Sequence, residues 1–187
     1  MLRKEQPFKP TRQQLVAAAG RKVPDVIAPN LNVLFCGINP GLYTAAVGHH
    51  FARPGNRFWP ALFKSGFTES LVSPFDESEL LERGIGISNV VSHATATAAE
   101  LTREDFIAGG RALAAKVKRY RPKVVAILGV GAYRDAFANP KAQIGEQPER
   151  IHDARVWVLP NPSGLNANYQ LPQLVKLFSA LRSAISN

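Results

Sequence analysis

Two segments punctuated by proline and glycine carry the side chains best placed to act on a bound molecule. The first reads Gly37-Ile38-Asn39-Pro40-Gly41 and runs on through His49-His50-Phe51-Ala52-Arg53-Pro54-Gly55-Asn56-Arg57-Phe58-Trp59. The second reads Pro160-Asn161-Pro162-Ser163-Gly164-Leu165-Asn166. Proline and glycine together set a turn, which presents Asn39 and neighbouring backbone N–H groups. Asn-Pro-Gly is also an ordinary turn, so this loop alone reads either way. Leu165 is apolar among polar and small neighbours. It either stands out of a rigid loop, where it suits insertion into a stack, or folds back onto the core. Adjacent side chains of His49 and His50 point in different directions, which argues against a metal site. The sequence has no Cys/His grouping with zinc spacing.

Acidic residues are absent around both segments. No Asp or Glu falls between Asp25 and Glu69, and none follows Asp153. The first stretch holds Arg53, Arg57 and Lys64, and the second holds Arg155, Lys176 and Arg182. Such a face can approach phosphates without like-charge repulsion. Paired-carboxylate chemistry and carboxylate-held magnesium are disfavoured by the same gap, unless an acid folds in from elsewhere. Over 187 residues, 23 Lys+Arg face 14 Asp+Glu, a formal +9 with pI about 10.1. A polyanion, nucleic acid first, is the partner this charge suggests, although basic chains also arise for solubility alone.

The elements that must position these loops follow from the apolar pattern. The spacing predicts strands over 31–38, 85–91, 123–128 and 155–159, each built on a continuous apolar run and not on alternation. Helices are expected over 11–20, 56–65, 78–83, 102–120, from Gly129 through Phe137, and over 171–185. Thr102 with Glu104 and Asp105 makes a capped acidic start to the longest of them. Apolar strands separated by helices indicate an α/β fold: a three-layer α/β/α sandwich around a central, mainly parallel sheet. Ligands in such folds sit beyond the carboxyl ends of the strands, where the segments after Ile38 and Leu159 both lie. Residues 1–25 read as a basic N-terminal extension, whose first 24 residues hold six cations against Glu5. It is taken as a solvated arm in preference to an ordered DNA-binding one. Residues 26–187 read as one domain. Cys36 lies in an apolar run and reads as a buried hydrophobe. The start has no signal-peptide core, and no apolar window is long enough to span a membrane. These features point to a reducing cytoplasm of bacterial type.

Taken together and in order, the motifs at 37–41, 51–59 and 161–165 resemble those of the mismatch-specific uracil/thymine DNA glycosylases, within the uracil-DNA glycosylase superfamily. The resemblance covers roughly residues 26–183. It implies a monofunctional enzyme that flips uracil, or a related pyrimidine opposite guanine, and hydrolyses its N-glycosidic bond. No cofactor is implied. The expected substrate is double-stranded DNA carrying uracil or a mismatched pyrimidine. The expected enzyme is a monomer that hands its abasic product to downstream repair enzymes and stays at the nucleoid through DNA binding.

Residue by residue, the resemblance places Asn39 at the water-orienting position. An amide has no protonation change near neutral pH, so it positions water instead of acting as a general base. Phe51 falls where the family stacks a ring on the base, with a core phenylalanine as the alternative. Gly37 and Ile38 belong to the base pocket, as does Thr44, whose hydroxyl either bonds the base or satisfies its own loop. Asn161 stands where faster uracil glycosylases carry histidine, which implies weaker activity and looser base choice. Ser163 implies a phosphate contact, and Gly164, Leu165 and Asn166 imply the wedge that fills the vacated stack. Asn166-Ala167 replaces a basic residue that many relatives carry after the wedge, which puts opposite-base selectivity in question. Ser92-His93 replaces an acid, and His93 is either a polar site group or a surface histidine. The competing reading is a non-catalytic DNA- or nucleotide-binding α/β protein, for which Gly129-Val130-Gly131 lacks a full phosphate fingerprint.

Overall fold

A computed structural model describes residues 8–186; Met1–Pro7, including Arg3, Lys4 and Glu5 of the basic extension, and Asn187 lie outside the described residues. Five strands form one sheet: β1 (Val33–Gly37), β2 (Ile85–Asn89), β3 (Val124–Leu128), β4 (Gly145–Ile151) and β5 (Ala154–Leu159). Their order is β2-β1-β3-β5-β4. The first four in that order pair parallel, and β4 joins β5 antiparallel. The four parallel strands are those the apolar runs predict, within a few residues at each end. The fifth was not expected. Gly145–Ile151 carries Pro148 and four charged or amide side chains, and it is an edge strand whose register slips between Glu146 and Arg150. A proline tolerated at an edge bulge reads as a loop in sequence.

Alternation within each buried strand builds the layers. Val33 and Phe35 of β1 face a cluster with Phe58, Trp59 and Leu62 of α3 (Phe58–Lys64) and Leu174, Phe178 and Leu181 of α6 (Leu171–Ser186). Leu34 and Cys36 face the opposite cluster, with Phe106, Leu113 and Val117 of α4 (Arg103–Tyr120) and Tyr133 of α5 (Val130–Ala136). The result is the expected three-layer α/β/α arrangement. Cys36 is fully buried, and burial pushes its thiol well above the usual range, so it is a packing residue.

Thr11 caps α1 (Arg12–Val16) through a reciprocal box with Gln14, and the helix stops before Gly20 at φ +75°. Residues 11–26 are docked, where the sequence suggested a solvated arm. Ala18 and Val23 pack with Ala45 and Ala94, and Val26 exchanges both backbone hydrogen bonds with Ile87 beside β2. A short helix missing from the sequence reading, α2 (Leu42–Val47), supplies Ala45. It starts at Gly41 without a side-chain cap and is too brief to show helical periodicity. Pro74–Arg83 forms 3₁₀ turns in place of the expected shorter α-helix.

Candidate active site

The cavity at the carboxyl ends of β1, β2 and β5 has a volume of about 340 Å³. Both loops singled out by their composition reach it. Beyond β1 the ladder continues, because the Gly37 and Ile38 carbonyls accept from the N–H groups of Val90 and Val91 at 2.8 and 2.9 Å. That pairing carries Asn39 to the cavity wall. Its Nδ2 donates to the His93 carbonyl at 3.1 Å and to Thr95 Oγ1 at 2.8 Å. Thr95 in turn donates its only hydroxyl proton to the Thr97 carbonyl at 2.8 Å, so it must accept from Asn39. Both partners take hydrogens, which settles the amide orientation. Asn39 Oδ1 accepts from no described residue and opens to the cavity.

The side wall is built by Phe51, His50 and Asn89. Phe51 has φ +53°, a left-handed conformation unusual for an aromatic residue. Its ring stacks on Phe58, with centroids 4.2 Å apart, and also lines the cavity. A Cβ on Gly37 would stand 2.6 Å from Asn89 Oδ1 and 3.2 Å from the Phe51 ring. Gly37 therefore does not line the cavity; its bare Cα lets the ring and the amide close over the end of the strand.

His50 is buried. Its Nε2 lies 2.9 Å from the Pro24 carbonyl, which can only accept, so this nitrogen carries the proton. Burial pushes His50 below its ordinary value, and the nearby Glu77 carboxylate offsets this only in part. In the resulting neutral ring Nδ1 is an acceptor, and Asn89 Nδ2 faces it at 3.4 Å. Glu77 accepts from the His50 backbone N–H at 2.8 Å and lies 3.0 Å from His49 Nδ1. Trp59 Nε1 donates to the His50 carbonyl at 3.2 Å. The histidine pair is thus engaged by protein groups. An acid does fold in behind the site, but no carboxylate lines the cavity among the described residues.

Thr44 is buried on α2 and lines the cavity, as do Ile38, Asn161, Ser163, Leu165 and Asn166. In the second loop Asn161 Oδ1 accepts from the Ser163 N–H at 3.0 Å, and Asn161 Nδ2 has no partner among the described residues. Asn166 Nδ2 donates to the Asn161 carbonyl at 2.9 Å, and its Oδ1 accepts from the Asn168 N–H at 3.1 Å. Gly164 lies off the cavity, with a notional Cβ only 2.6 Å from the Gly55 carbonyl oxygen. A side chain there would push the two loops apart. Leu165 is 72% exposed. It does not fold back onto the core.

Arg57 ties the loops together. Its guanidinium donates to the carbonyls of Ser163 and Asn166 at 2.6 and 2.8 Å and also to that of Tyr169, while its backbone N–H donates to Pro162. Sequence reasoning placed Arg57 and Arg155 on a phosphate-facing surface; both are engaged elsewhere. Arg155 pairs with Glu146 at 2.7 Å at the far end of β5. Arg53 is the only cation lining the cavity among the described residues. His93 contributes a backbone carbonyl, and its half-buried ring lies 3.9 Å from Asp105.

Asn89, His50, Thr95 and Glu77 were missed as site residues. Asn89 was findable, because it is a polar side chain ending an apolar strand at the same sheet edge as Asn39. Glu77 reaches the site from 27 positions away with no local signal. A family model described as the uracil DNA glycosylase superfamily matches residues 24–182.

Proposed function

The chain belongs to the uracil DNA glycosylase superfamily, and from that membership we propose a monofunctional glycosylase that excises uracil mispaired with guanine by water attack oriented by Asn39. Membership itself supports a DNA glycosylase, a hydrolase acting on DNA in base excision repair. The observation that carries the finer reading is the Asn39 amide, with its donor end occupied and its acceptor end open to the cavity.

In this reading Oδ1 accepts one hydrogen of a water and aims the water's oxygen at C1′ while the glycosidic bond breaks. The departing base leaves as an anion, which needs donors. Asn161 Nδ2, unpartnered among the described residues, suits this role. Phe51 offers a flat face to the flipped ring, and the Thr44 hydroxyl and Asn89 amide bond the base edge. Ser163 Oγ accepts from the Leu165 N–H at 3.3 Å, which leaves its own proton for a phosphate oxygen. Leu165, exposed at the tip, occupies the vacated stack. Both ends of the Asn166 amide are bonded within its loop, so it is poorly placed to read the orphaned guanine. Preference for a mispair then comes from the lower cost of extruding a mispaired base. The abasic product passes to downstream repair enzymes.

Asn39→Ala tests the assignment. Single-turnover excision from a G:U duplex should fall about 100-fold or more while duplex affinity is kept, as for other lost transition-state hydrogen bonds. Activity within about threefold of the parent would overturn it, and binding with no excision by the parent would favour a non-catalytic protein.

A further inference from the structure

Among the described residues, the excess positive charge is not gathered at the cavity, where Arg53 is the one lining cation. At the opposite end of the sheet Lys118, Arg121, Lys123 and Arg150 line a second cleft, of about 570 Å³, with His152 beside them and with Arg155, already paired with Glu146, also on its wall. The four cations are exposed, and none lies within 4.0 Å of a carboxylate among the described residues. Asp153 is the only acid lining the cleft among the described residues, and Arg150 bonds its backbone carbonyl, not its carboxylate.

Helix electrostatics accounts for part of this group. Lys118 is in the last turn of α4 and Arg121 caps it, where cations complement the helix dipole. Lys123 precedes β3 and Arg150 belongs to β4, so the dipole does not explain them. Arg121 and His152 sit at φ +50° and +52°, where glycine or asparagine is the easier residue. Unpaired like charges around one concavity repel each other until an anion enters.

We propose that this cleft is a second nucleic-acid contact, gripping phosphates of a duplex segment other than the one whose base occupies the cavity. Its polyanion is identified as DNA because the superfamily's substrate already brings duplex to the other face. Five residues of β3 at ~3.3 Å each separate the two ends by about 17 Å. A segment lying across the cavity therefore does not reach both. Arginine forks and lysine ammonium groups suit phosphate oxygens without reading sequence.

The test uses undamaged duplex, so it does not depend on excision. The full chain, bound to a tethered duplex, should capture a second labelled duplex while running as a monomer on sizing. Lys118→Gln/Lys123→Gln/Arg150→Gln should lose that capture at least tenfold. Its salt slope should flatten by about 0.9 per phosphate contact removed, roughly 2–3 in all. Single-turnover excision at saturating enzyme should stay within twofold. If the triple variant does not fold, Lys123→Gln and Arg150→Gln singly should each flatten the slope by about 0.9. No capture by the parent, or parent-like slope and capture in the variant, overturns the proposal. Capture of poly-glutamate but not of a second duplex overturns it in favour of an acidic protein partner. Capture without excision leaves this cleft standing and removes the glycosylase reading instead.

Discussion

Leu165→Ala separates a wedge from a packing residue, and the structure sets the size of both effects. Full burial of a leucine side chain is worth about 1.5–3 kcal/mol. Leu165 is 72% exposed, so only a little over a quarter of that is realised in the free protein. Truncation should cost about 0.4–0.8 kcal/mol and, at about 2–4 °C per kcal/mol for a chain of this length, lower Tm by about 1–3 °C. A core leucine would cost about 2–5 kcal/mol. On DNA the arithmetic reverses. Three carbons lost from a buried stack, at about 0.8 kcal/mol each and with most of the residue free to be covered, come to about 2 kcal/mol. That is roughly 20–30-fold in duplex excision, since about 1.4 kcal/mol is tenfold. Single-stranded uracil DNA has no stack to fill, so its excision should change by less than about threefold. Single-turnover rates on G:U duplex and on the same strand unpaired, with a melting curve, decide the matter. Equal losses on both substrates together with a Tm drop well beyond about 3 °C would refute the reasoning.

Thr95→Val removes one of the two acceptors that orient Asn39. Losing such a bond is worth about 0.5–1.5 kcal/mol, so kcat should fall about 2–10-fold with KM unchanged, and Thr95→Ser should restore it. A change confined to KM would mean that Thr95 does not act through Asn39. His50 is pushed below its ordinary value by burial, so the unfolded chain takes up a proton that the folded one resists. The sign makes stability fall as pH drops below about 6.5, with no contribution above it. Protonation would also turn Nδ1 into a donor facing the Asn89 donor. Excision and Tm should therefore both decline between about pH 6.5 and 5, and His50→Gln should flatten the Tm profile there; identical profiles for variant and parent would exclude His50 as the titrating group.

Local sequence determined a good deal of this molecule. The four parallel strands were legible because strands buried on both faces must be apolar throughout. The Thr102 cap and the 18-residue α4 were legible because capping boxes and helical spacing are local. The two loops stood out because proline and glycine constrain the backbone wherever they occur, whereas the choice between an exposed and a folded-back Leu165 was made only by the tertiary structure. Other features depended on pairs of residues far apart in the chain. β4 became a strand only because β5 offered an edge, and its Pro148 hid it. Arg57 looked like a phosphate ligand because its carbonyl partners lie more than a hundred positions away. Shorter separations, 27 positions from His50 and 56 between Thr95 and Asn39, still hid Glu77 behind the histidines and the tie to Asn39. Folding also decided how the described basic residues divide, with Arg53 at the cavity and Lys118, Arg121, Lys123 and Arg150 at the opposite end. Charge counts add along a chain, whereas a field depends on where folding carries each charge and which carbonyl or carboxylate it meets there.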